Sequence, residues 1–81
     1  MSQNIIILGD ERRQIFDYSG GTNIIYIGKA HPAALTSEAK WQIQKLTYDA
    51  DSKVINIDFA DGTPAYTKIW DNRVNFDYTP D

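Results

Sequence analysis

Apolar side chains recur at every second position in one short stretch of this chain after another, and that rhythm restricts what it can fold into. From Lys53 to Phe59, Ile55, Ile57 and Phe59 fall on one side while Asn56 and Asp58 fall on the other. Tyr66, Lys68 and Trp70 alternate with Thr67 and Ile69, and Val74, Phe76 and Tyr78 alternate with Arg73, Asn75 and Asp77. Between Thr22 and Lys29, Ile24, Tyr26 and Gly28 interleave with Ile25 and Ile27, so both sides are apolar. A period of two is the mark of a strand, because successive side chains leave a pleated backbone on opposite faces. Eleven isoleucines and ten aromatic residues agree with it, since branched and ring side chains suit a half-buried sheet.

Turn-forming residues separate these stretches. Ser19-Gly20-Gly21, Asp49-Ala50-Asp51-Ser52, Asp61-Gly62-Thr63-Pro64 and Asp71-Asn72 all accept turn dihedrals. The pattern predicts strands near 4–8, 13–18, 23–29, 40–48, 53–60, 65–70 and 73–78. Between 40 and 48 the phase slips, because Trp41 and Ile43 are out of step with Leu46 and Tyr48. One extra residue near Gln44-Lys45 restores the ladder, so a β-bulge is expected there. Ser37 to Gln44 is the one place where a short helix competes, with Ser37 as its N-cap, but the apolar spacing fits a helical stripe poorly. The expected fold is all-β: a small antiparallel barrel or sandwich of about six to seven short strands.

Eighty-one residues make a single domain, 1–81, with no room for a second core. There is no cysteine, so neither a disulfide nor a thiolate metal site helps to hold it. Such a domain is marginal unless it is very well packed or borrows surface from a partner. Nine Asp and two Glu outweigh five Lys and three Arg, a net charge of -3, and acids neighbour most of the basic residues. No nucleic-acid partner is expected from that balance. The longest apolar run, Ile5-Ile6-Ile7-Leu8, stops at Gly9, far short of the roughly 20 residues that span a bilayer, so no membrane partner is expected either. Met1-Ser2-Gln3-Asn4 has no basic character, and no signal peptide is expected.

No catalytic, cofactor-binding or metal constellation stands out. His31 precedes Pro32 in the longest loop and reads as an exposed loop residue; no serine lies in a nucleophile context. Asp49-Ala50-Asp51-Ser52 opens like a calcium loop, but Val54 and Ala60 stand where such a loop needs Gly and Glu, so it reads as a hairpin turn. Asp58 lies on the polar side of its strand and Asp61 opens a turn, a spacing that does not pair them for acid–base work. Gly20-Gly21 lacks the remaining glycines of a phosphate loop. The aromatics Trp41, Tyr48, Phe59, Tyr66, Trp70, Phe76 and Tyr78 read as core, with a carbohydrate or base-stacking platform as the rival reading. Ile5 to Leu8 differs, because a continuously apolar strand needs cover on both faces. Residues 1–13 are therefore expected to act as an assembly strand or arm, with 14–81 as the core.

One recurrent order of short motifs carries a resemblance. It runs from Asp17-Tyr18 and Gly20-Gly21 through Tyr26-Ile27-Gly28-Lys29-Ala30, Trp41-Gln42-Ile43 and Thr47-Tyr48-Asp49. It continues with Phe59-Ala60-Asp61-Gly62, Ile69-Trp70-Asp71-Asn72-Arg73 and Tyr78. The order, from Asp17 to Tyr78, resembles small virion structural proteins of tailed bacteriophages and prophages, placed in the tail, the neck or on the capsid. The resemblance implies a non-enzymatic virion component, made in the bacterial cytoplasm and present in many copies. Its partners would be copies of itself and neighbouring virion proteins, and it would need no cofactor. Within the pattern, Gly28 is expected where a Cβ would clash, Trp41 and Trp70 as core anchors, and Arg73 as a planar donor to Asp71 or to a carboxylate across the sheet. The alternative function is a small β-rich module binding saccharide or peptide through some of Tyr18, Tyr26, Tyr48 and Tyr66.

Overall fold

A computed structural model describes residues 12–78. The assembly strand expected at Ile5, Ile6, Ile7 and Leu8 lies outside the described residues. Five antiparallel strands form one sheet: β1 (Arg13–Asp17), β2 (Tyr26–Ala30), β3 (Ala39–Tyr48), β4 (Val54–Phe59) and β5 (Lys68–Ile69). The first four lie in the order β1-β2-β3-β4, and β5 pairs with the beginning of β3. The chain is all-β, as its alternation predicts. No pairing joins β1 to β4 among the described residues, so the sheet has two open edges there.

Turn chemistry sets the hairpins. Ser19 and Gly20 take positive φ (48° and 82°), and the Asp17 carboxylate accepts the Ser19 N–H at 2.8 Å. After β3, Asp49 Oδ1 accepts the backbone N–H groups of Asp51 (2.8 Å) and Lys53 (3.0 Å), which closes the next hairpin. The carboxylate that resembled a calcium ligand thus folds its own turn.

β3 holds the domain together, because it pairs with β2, β4 and β5 and buries Trp41 and Ile43 completely. The bulge expected at Gln44-Lys45 is not there. Gln44 pairs with Ile27 and Phe59, and Lys45 with Tyr26 and Asp58, in unbroken register. The phase slip has a different cause: the apolar residues change face. Trp41 and Ile43 point to one side of the sheet, and Leu46, three residues on, is buried on the other. The irregularity with β4 comes later, where Thr47 faces Asn56 and Tyr48 faces Val54, leaving Ile55 as the extra residue. A second lies between Ala39 and Trp41, opposite β5.

The C-terminal strands are also corrected. Of the stretch expected at 65–70 only Lys68–Ile69 is strand, and 73–78 is not strand at all. Trp70–Asn75 forms a 3-10 segment instead. Asp71 and Asn72 suit a sheet poorly, and a 3-10 turn brings residues three apart onto one side. That side carries Trp70 and Arg73, with the guanidinium 4.6 Å above the indole. A strand would have set them on opposite faces. Residues 37–44 form no helix; most of them lie in β3.

The core lies between one face of the sheet and this segment. It comprises Tyr26, Ala30, Ala34, Trp41, Ile43, Ala60 and Trp70, with Ile15, Ile25, Phe76 and Tyr78 packed against it.

Candidate functional site

Residues directly opposite in an antiparallel ladder share a face, so the register brings distant residues into rows. On the core face, Ile15, Gly28 and Ile43 form one row, and Asp17, Tyr26, Lys45 and Asp58 form the next across all four strands. Gly28 lies beneath both tryptophans, whose ring centroids are 6.0 Å apart. Trp41 is fully buried, and its indole N–H donates to the Leu35 carbonyl at 2.9 Å.

At one end of the second row, Arg73 Nε donates to Asp17 Oδ2 at 2.7 Å, and both side chains are largely shielded. The partner of Arg73 is thus a carboxylate on the first strand rather than Asp71. The bond from Arg73, joined by the Ser19 N–H, holds the Asp17 carboxyl below the ordinary aspartate value. The folded chain keeps Asp17 ionised at a pH where the unfolded chain already takes up a proton. This contribution is complete above the ordinary carboxylate range and is lost as pH falls through the depressed value. Glu38, accepting the Leu35 N–H, and Asp61, accepting from Lys68, are depressed in the same direction. In urea titrations from neutral pH down through about 4, the parent should lose stability more steeply than Asp17→Asn, which keeps only the Glu38 and Asp61 contributions. Equal slopes would show that the pair contributes nothing.

At the other end of that row no described residue covers the sheet. Lys45 and Asp58 face each other, and beside them Thr47 faces Asn56, a two-by-two array of polar side chains. Val74, Phe76, Asp77 and Tyr78 rise along one side, and Tyr26 completes a depression of about 410 Å³. Tyr26 and Tyr78 pack with ring centroids 5.6 Å apart, and Lys45 Nζ lies within 5.9 Å of both rings. Tyr78 donates its hydroxyl to the Arg73 carbonyl at 2.7 Å, and burial pushes its pKa up, so that it stays protonated.

The opposite face and the β4 edge are apolar. Phe16, Ile27 and Phe59 share a row with Gln44 on that face, next to Leu46 and Ile57. Val54, Ile55 and Ile57 remain 47%, 55% and 53% exposed on an edge strand.

The remaining candidates are scattered. His31 is exposed, its Nδ1 accepting the Ala33 N–H at 3.3 Å. Asp61 takes Lys68 at 3.0 Å and the Asp77 N–H at 3.1 Å, whereas Asp58 stands opposite Lys45. The four tyrosines of the binding alternative do not gather. Tyr18 is exposed, Tyr48 donates to the Ile24 carbonyl, Tyr66 lies under Arg12, and only Tyr26 reaches the depression. The polar array went unread in the sequence. Lys45-x-Thr47 and Asn56-x-Asp58 are visible as period-two pairs, but their register is not.

Comparison with protein-family models, with curated proteins and with solved structures finds no match.

Proposed function

We propose that this chain is a non-enzymatic structural protein of a tailed-bacteriophage virion, working through contacts with copies of itself and with neighbouring virion proteins. The observation that carries the reading is the β4 edge, which no described strand pairs and where three large apolar side chains stand about half exposed among the described residues. Unpaired N–H and C=O groups beside exposed isoleucine form a template for another strand. The preferred occupant is a second copy. Between Val54 and Phe59 the only ionisable residue is Asp58, so two such edges meet with little like-charge repulsion. The apolar row on the same side as Ile57 extends the contact surface beyond the edge. The resemblance of Asp17 to Tyr78 to virion proteins supplies the setting.

Sedimentation with circular dichroism tests it. The parent is expected to self-associate, and Ile57→Lys to give a folded chain at the 9.2 kDa monomer mass. Ile57 is exposed, so the substitution should leave the fold intact. A monomeric parent, or an Ile57→Lys variant that associates unchanged, would sink the self-assembly reading.

A further inference from the structure

We infer that the depression over Lys45 and Asp58 is a binding site for a neutral saccharide. The inference stands apart from assembly, because it uses the core-side face of β4 rather than its edge and outer face. Lys45, Thr47, Asn56 and Asp58 hold no side-chain hydrogen bond or ion pair among the described residues. Four other carboxylates, Asp17, Glu38, Asp49 and Asp61, are taken up by hydrogen bonds within the fold. Here a hydroxyl, an amide and a carboxylate without hydrogen bonds lie in one array with the Lys45 ammonium, which rests over the Tyr26 and Tyr78 rings, and Phe76 lines the same depression.

The chemistry of the two sides selects the ligand. A pyranose presents a face of C–H groups and a rim of hydroxyls. The negative face of an aromatic ring attracts positively polarised C–H groups. The polar array offers donors from Lys45, acceptors from Asp58 and both from Thr47 and Asn56, which suits hydroxyls that donate and accept. At about 410 Å³ the depression is within the range of small-molecule sites, roughly 300–1,000 Å³. Charge narrows the class. Lys45 faces the Asp58 carboxylate across the ladder, so the array holds no excess of positive charge to draw phosphates or acidic sugars.

The test is a nitrogen–proton correlation spectrum of the full chain, titrated with neutral trisaccharides of glucose, mannose and N-acetylglucosamine, and with sialyllactose as the acidic probe. At least one neutral sugar, at up to about 10 mM, where even weak ligands register, should give saturable shifts at residues 45, 47, 56, 58 and 76–78. Phe76→Ala should weaken binding about tenfold or more. Phe76 also packs on the core, so Asp58→Asn and Asn56→Ala serve as second variants. Their parent side chains hold no bonds, so both should melt like the parent and bind several-fold more weakly. No shifts with any neutral sugar, shifts that map elsewhere, shifts with sialyllactose alone, or unchanged binding by folded Asp58→Asn and Asn56→Ala would each overturn the proposal.

Discussion

Trp41→Ala is expected to leave most of this chain unfolded at room temperature. Trp41 is completely buried near the start of the longest strand, against Trp70 and beneath the Arg13 guanidinium. Truncating a buried tryptophan to alanine costs about 3–5 kcal/mol, because the cavity only partly collapses. The Leu35 carbonyl also loses the indole N–H, a further cost of roughly 1 kcal/mol. Small domains without disulfides lie at the low end of the usual range of about 5–15 kcal/mol, so the loss approaches the whole. Urea denaturation followed by circular dichroism measures it. Trp41→Phe keeps most of the ring and loses the N–H, and should fall between the two. A Trp41→Ala variant within about 1 kcal/mol of the parent, the size of an ordinary substitution, would mean that the site repacks around the gap.

Gly28→Ala is expected to destabilise by about 1–3 kcal/mol, although alanine is the better residue for a strand interior. A Cβ at position 28 would lie 2.5 Å from Cε3 and 2.7 Å from Cζ3 of Trp70, and 3.1 Å from Cε3 of Trp41. The cause is occupied space rather than backbone freedom. Neither indole moves alone, since Trp41 is pinned to Leu35 and Trp70 lies under Arg73, itself bonded to Asp17. Gly28→Val should be worse. Trp70→Phe shortens the ring that collides, so Gly28→Ala should cost less in that background. Equal costs in the two backgrounds would remove Trp70 as the source of the clash.

The strands β1 to β4 were legible as apolar stretches bounded by turn residues, with clean alternation in β4. Where the prediction failed, a tertiary contact decided. At Trp70–Asn75, alternation was outweighed by stacking Arg73 on Trp70 while bonding Asp17, a partner 56 residues away. In β3, the switch of faces at Leu46 imitates a bulge, and one strand read alone does not separate the two. The depression was illegible for a related reason. Lys45 and Asp58 become neighbours only through the register, and Phe76 and Tyr78 reach them only because the strand expected at 73–78 did not form.

Trp70 fills a slot built more than forty residues earlier in the chain. During synthesis, β1 to β4 emerge first and pair with their nearest neighbours in sequence, an arrangement that forms readily. The hollow over Gly28 stays open until Trp70 has left the ribosome. Until then Trp41 has one side bare, and the half-made sheet offers apolar surface to whatever it meets. The closing segment completes the core and also ends this exposed stage, so a chain stopped before Trp70 would remain in it.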